Sequence, residues 1–124
     1  ATLRDEIKEE RFTYVNGRDL LSGLPRRITV TESEIRDVLR VPFMTICNTV
    51  LKVLQQTPAE LSSDIIENGI LLNGGCALID GIDEFFSKQI GLKITVAKNP
   101  LTSIVEGTKV LLKNRGNYYV KPVE

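Results

Sequence analysis

Histidine is missing altogether, tryptophan is missing too, and methionine occurs once. Without histidine the chain lacks both the commonest general base near neutral pH and the commonest metal ligand. Only two cysteines are present, Cys47 and Cys76. Neither stands in a CxxC pair, and no other Cys or His is available to complete a zinc site. Both read as reduced, packed thiols of a cytosolic protein. An excess of either charge is lacking as well: 16 Lys and Arg balance 16 Asp and Glu. Net charge therefore points neither to nucleic acid nor to an anionic membrane surface. No apolar run approaches the roughly 20 residues that a bilayer-spanning helix needs. Internal repeats and low-complexity tracts are absent, and no GKS or GKT follows a glycine loop, which excludes a P-loop.

The residues that are present make an ordinary bulk composition. The chain has 124 residues, 42% of them hydrophobic and 26% charged, enough for one core in one domain or in a piece of a larger one. Residues 2 to 10 are dense in charge and read as a helical turn or a frayed, solvated face. Arg11 to Val15 reads as a strand, which the turn chemistry of Asn16-Gly17 ends. Gly23 and Pro25 mark a second loop, and Arg27 to Val30 a second strand. Thr31-Glu32-Ser33-Glu34 is a capping box. Behind it, Ile35, Val38, Leu39, Phe43, Ile46, Val50 and Leu54 form an apolar stripe at helical spacing, with core packing as its default role. Pro42 predicts a kink or restart near Val41. Thr57, Pro58 and Glu60 suggest a second box, and Asn68-Gly69 closes that helix.

The second half alternates. Gly69 to Asn73 reads as a buried parallel strand and Gly74-Gly75 as a turn. A helix runs from Leu78 to Ile90 and stops at Gly91. Leu92 to Ala97 is the next strand. Asn99-Pro100 opens a last helix through Leu112, and Arg115 to Glu124 looks like a tail. The alternation argues for an α/β layer of parallel strands with flanking helices.

One stretch carries chemistry: Gly69-Ile-Leu-Leu-Asn-Gly-Gly-Cys-Ala-Leu-Ile-Asp-Gly81. Gly74 and Gly75 remove the side chains that would hold a ligand off the backbone. The amides of Cys76 and Ala77 are expected to lie unpaired at a helix N-terminus, where negative charge is favoured. Ala77 is small enough for a flat group to lie close by. A phosphate or nucleotide is the natural guest, although such glycines also serve simply as tight turns. A dinucleotide fingerprint is not met, because the spacing is wrong and the next strand ends Val96-Ala97-Lys98, with no acid. Asp80 and Glu84 share one helical face and read as solvated acids, as Arg18 and Asp19 read as an exposed pair.

Gly17-Arg-Asp-Leu-Leu-Ser-Gly-Leu-Pro25, Thr57-Pro-Ala-Glu-Leu61, the Gly69 to Ile79 stretch, and Asn99-Pro-Leu-Thr102 leading to Glu106-Gly-Thr108 occur in this order. Together they resemble the MreB family of bacterial actin-like cell-shape proteins, over nearly all of this chain but only the last third or so of the family's length. The resemblance implies part of the second lobe of an actin-like and heat-shock-chaperone ATPase fold. Residues 1–27 would be a remnant of the upper subdomain and the return segment, residues 28–113 the lower subdomain, and 114–124 a C-terminal tail. It implies that Gly74, Gly75, Cys76 and Ala77 form the adenosine side of a nucleotide cleft. It places the Pro100–Thr108 helix between the lobes, with Gly107 allowing close approach.

In the full-length protein the cofactor would be ATP with Mg²⁺, hydrolysed weakly. The phosphate hairpins, the catalytic carboxylate and the membrane-contacting segments would lie upstream, so this chain alone should hold no nucleotide tightly and should be inactive. Implied partners are further copies in a filament and the cell-shape and wall-synthesis membrane proteins, with no nucleic acid, at the inner, cytoplasmic face of the cell membrane. The chain departs from the family pattern at Cys76, where a third glycine is usual, and at Lys109, where Gly-Thr-Gly is common. Cutting the protein here would bare apolar surface. The alternative is a stand-alone structural or partner-binding α/β module without nucleotide. An unrelated small α/β enzyme is disfavoured by the missing histidine and fingerprint.

Overall fold

The computed structural model describes residues 2–114. Strands β1 (Phe12–Arg18) and β2 (Pro25–Thr31) pair antiparallel, from Phe12 opposite Thr31 to Arg18 opposite Pro25. Here the Asn16-Gly17 expectation fails. Both residues sit inside β1, opposite Arg27 and Arg26, and Asn16 Oδ1 accepts from Arg27 Nε at 3.0 Å. The turn lies later and is built by Asp19, whose Oδ1 accepts from the Leu21 and Ser22 amides at 3.0 and 2.8 Å. This is an Asx-type turn, closed by Gly23 at φ 68°. Asp19 also pairs with Arg26 at 3.0 Å, while Arg18 donates to the Gly23 carbonyl.

The Thr31 capping box forms as predicted. It starts α1 (Glu32–Gln56), which runs unbroken past Pro42. No restart occurs at Val41. The missing proline N–H costs one helical bond, and 25 residues of helix absorb it. The second box does not form. Thr57 instead ends α1, its amide bonded to the Leu54 carbonyl and its hydroxyl donating to the Val53 carbonyl at 2.7 Å. Pro58 then precedes α2 (Ala59–Asn68) without a side-chain cap.

Strands β3 (Ile70–Leu72) and β4 (Ile94–Val96) pair in parallel, with Ile70 opposite Ile94 and Leu72 opposite Val96. Parallel neighbours need a crossover, and α3 (Ile82–Ile90) supplies it, ending at Gly91 as expected. The sheet is entered through Gly69 at φ 82°, where a Cβ would stand 2.5 Å from the Lys93 carbonyl oxygen. Helix α4 (Ser103–Lys113) comes after β4. It starts three residues later than Asn99-Pro100 suggests, because the Asn99 carbonyl first accepts from the Thr102 and Ser103 amides in a turn. The tail from Arg115 onward lies outside the described residues.

The core sits between α1, α3 and the small parallel sheet. Phe43, Cys47, Ile82, Phe85, Phe86 and Ile94 are buried together with Leu3. Phe86 meets the edges of Phe43 and Phe85 at centroid distances of 5.9 and 6.0 Å, a favourable aromatic geometry. The α1 stripe is narrower than its periodicity suggests. Phe43 and Cys47 form its buried line, with Leu39 and Met44 packed beside them, whereas Val38 and Ile46 are exposed.

The charged opening segment is not frayed. Leu3 is buried, its amide donates to the Asp80 carbonyl, and Thr2 bridges to Asp80. Asp5 pairs with Arg40 and Lys88. Large apolar residues are nonetheless bare on the hairpin, just before α4 and along it, including Leu20, Leu21, Leu101, Ile104 and Val105. Among the described residues no helix is long and apolar enough to cross a membrane.

Candidate nucleotide-facing turn

Strand β3 ends at Leu72 and the chain turns at Asn73-Gly74. Gly74 adopts φ 92° and ψ 172°, a backbone region open almost only to glycine. A Cβ built there would meet nothing within 4 Å. Conformation therefore requires this glycine, and the space above it is open. Gly75 is exposed, and a Cβ there would touch only Leu101 Cδ2, at 3.6 Å.

Beyond Gly74 the chain makes a single 3₁₀ turn, Gly75–Leu78, rather than the start of a long helix. The α-helix proper begins at Ile82, after Gly81. This corrects the expected amide pattern. The Ala77 amide donates to the Gly74 carbonyl at 3.1 Å, and Ala77 is buried. The Gly74 amide donates to the Pro100 carbonyl at 2.8 Å. The amides of Gly75 and Cys76 have no partner among the described residues, and both residues are exposed. The four predicted residues thus stand together but divide into two kinds. Gly75 and Cys76 present free donors, while Gly74 and Ala77 shape the turn. Such successive amides favour an anionic or carbonyl-bearing guest.

The turn is tied to the start of α4. Besides the Gly74–Pro100 bond, the Ser103 hydroxyl donates to Asn73 Oδ1 at 2.7 Å. Pro100 is buried under this junction. Sequence reasoning treats the two glycine-bearing motifs separately and misses Asn73 and Ser103. Their only signal is position, Asn73 inside the Gly69–Gly81 stretch and Ser103 directly after Asn99–Thr102, because nothing local reports a contact across 30 positions. Gly107 has open space around it.

At the far end of the turn, Asp80 accepts from the Thr2 hydroxyl and pairs with Arg4 at 3.1 Å; Arg4 also reaches Glu84. The acids are half-exposed but paired, not merely solvated. The Thr2 hydroxyl first, and Arg4 next, hold the Asp80 carboxyl below the usual aspartate range. It stays ionised and bound, which suits it poorly to a general-base role. A concavity of about 650 Å³ lined by Arg4, Glu9, Arg11, Glu32 and Asp80 lies beside this segment, away from the glycine turn. Among the described residues no acidic or thiol cluster is arranged to hold a metal ion.

The family model for MreB/Mbl protein matches residues 2–119. The chain belongs to the MreB/Mbl family. The cell shape-determining protein Mbl of Bacillus subtilis is 39% identical over 92% of this chain and 34% of its own length. The cell shape-determining protein MreB of Escherichia coli K12 is 39% identical over 83% of this chain and 29% of its own. The crystal structure of MreB5 of Spiroplasma citri bound to ADP superposes with a TM-score of 0.86 at 38% identity, covering 92% of this chain and 34% of that one. The same protein bound to AMPPNP gives 0.87 over 94% of this chain. The fold is thus that of the actin-like MreB structures, and the chain spans about a third of the length of the relatives it matches.

Proposed function

We propose that this chain is the C-terminal portion of an actin-like, ATP-binding filament protein that organises rod shape and cell-wall synthesis. In this reading the turn from Gly74 to Ala77 forms the adenosine side of the nucleotide cleft. The carrying observation is the free, exposed amide pair of Gly75 and Cys76 beside the open face of Gly74, in a fold whose MreB5 neighbours are bound to ADP and AMPPNP. Glycine at position 74 lets a planar group approach the backbone, and the two amides orient it. The nucleotide would bring its own phosphates. Mg²⁺ would be held by those phosphates and by parts of the protein outside this chain, since the described acids do not gather around one point.

In the same proposal residues 1–27 and 28–113 belong to the upper and lower subdomains of the second lobe, with 114–124 as tail. The bare apolar face of α4 would be covered by the other lobe. Filament subunits and cell-shape and wall-synthesis membrane proteins would be the partners, at the cytoplasmic face of the membrane.

Calorimetry with ATP and ADP in the presence of Mg²⁺ tests this, on the full-length protein and on this chain. Binding by the full-length protein and weak or absent binding by the chain is the expected result, with no hydrolysis by the chain alone. Absence of binding in both would leave the turn a structural feature. It would favour the second reading, a partner-binding module, for which the exposed Leu20–Leu24 tip speaks.

A further inference from the structure

Resting on the nucleotide reading above, we infer that Asn73 and Ser103 are a positioning pair that sets the glycine turn for its ligand. The turn cannot hold its shape through core packing, because Asn73, Gly75 and Cys76 are exposed and only Ala77 is buried. Three long-range polar bonds fix its entrance instead: the Ala97 amide to the Leu72 carbonyl, the Gly74 amide to the Pro100 carbonyl, and the Ser103 hydroxyl to Asn73 Oδ1. The first two are backbone to backbone and survive any substitution that keeps the fold. The third depends on two side chains and is therefore where sequence can adjust the turn.

The Ser103 hydroxyl is well placed for this. Its residue opens α4, and its own amide is already used by the Asn99 carbonyl at 2.9 Å. The hydroxyl is thus held at the first turn of a helix while Asn73 lies at the last position before Gly74, whose φ of 92° is open almost only to glycine. Loss of the bond leaves the backbone bonds at Leu72 and Gly74 as the only ties of the turn's entrance among the described residues, and so loosens the turn ahead of Gly75 and Cys76. The free amides are then held less firmly in direction, without any loss of buried apolar contact. Neither side chain needs to touch the ligand. Both act through the turn, and through it they link ligand occupancy to the orientation of α4.

The experiment uses the full-length protein, with ADP binding by calorimetry and thermal unfolding without nucleotide measured side by side. Ser103→Ala is expected to weaken ADP by about three- to tenfold, the range for one neutral hydrogen bond, with little change in unligated Tm. Ser103→Thr keeps the hydroxyl and is expected to restore affinity. Asn73→Ala should match Ser103→Ala, and the double variant should be no worse than either single one, as for two halves of one bond. If Ser103→Ala fails to fold, Asn73→Ala breaks the same bond from the other side. Unchanged ADP affinity in both single variants overturns the inference. So does an additive double variant, or a loss of Tm without loss of affinity. If the unsubstituted full-length protein binds no ADP, the nucleotide reading itself falls, and this inference falls with it.

Discussion

The hairpin and the small α/β layer are built by opposite means. Strands β1 and β2 align seven residues each in complete register, yet every residue of β1 is exposed. Strands β3 and β4 align only three residues each, but Ile94 is buried beside the three phenylalanines. The hairpin has regular backbone pairing with little apolar burial; the layer has burial with minimal pairing. Two-stranded ribbons are marginal in water, so the hairpin leans on polar devices: the Asp19 turn, the pair with Arg26, and the Arg27 guanidinium 5.6 Å from the Tyr14 ring centre.

Substitutions should separate the two regions. Phe86→Ala removes the ring shared by both aromatic contacts and is expected to cost about 3–5 kcal/mol, read from urea unfolding. A cost near zero would mean the layer is not the core. Gly69→Ala should cost about 1–3 kcal/mol, because it combines strained φ with a clash at the Lys93 carbonyl. Thr31→Ala, which removes the α1 cap, should cost about 1 kcal/mol. Leu20→Ser, on a side chain 99% exposed, should stay within about 0.5 kcal/mol. A larger loss would show that the tip is covered in solution.

Acid should distinguish them too. The Ser22 amide first, and Arg26 next, hold the Asp19 carboxyl below its ordinary value. Lys88 and Arg40 do the same for Asp5. Folded values below unfolded ones stabilise above the ordinary aspartate range near 3.9, and that contribution is lost as pH falls through the folded values. Both regions carry such a carboxylate, but the layer around Asp5 also has a buried core, so amide resonances of residues 18–26 are expected to broaden as pH falls below the ordinary aspartate range, before those of β3 and α3. Simultaneous loss of both regions would contradict the comparison.

Legibility in the sequence divides along the same line. The layer is largely legible: both strands and the Gly91 stop fall near their predicted places, because burial imposes periodicity and glycine punctuates it, but β3 is only half-buried, with Leu71 exposed, and α3 starts at Ile82 rather than Leu78. The hairpin is half legible. Both strands are visible, but Asn-Gly is a turn signal only when the chain uses it as one. Here cross-strand pairing takes Asn16 and Gly17 into β1, and the turn passes to Asp19. Two further misreadings are local rivalries. Thr57 closes α1 instead of opening α2, because its hydroxyl finds the Val53 carbonyl first. The helix expected right after Gly75 becomes a 3₁₀ turn, because the Ala77 amide bonds to Gly74. The site's glycines are visible in the sequence. The bond from Ser103 to Asn73 is not, since only the tertiary fold brings those positions together.

The two cysteines differ in a way that gives the experimenter a tool. Cys47 is 0% exposed, and burial raises its thiol pKa, while Cys76 lies open on the turn beside Gly75. A thiol-reactive fluorophore applied to the folded protein should therefore attach at Cys76 and leave Cys47 untouched until the chain unfolds. Without any engineering, this chain carries one attachment point next to its proposed ligand, and a second that reports when the core opens.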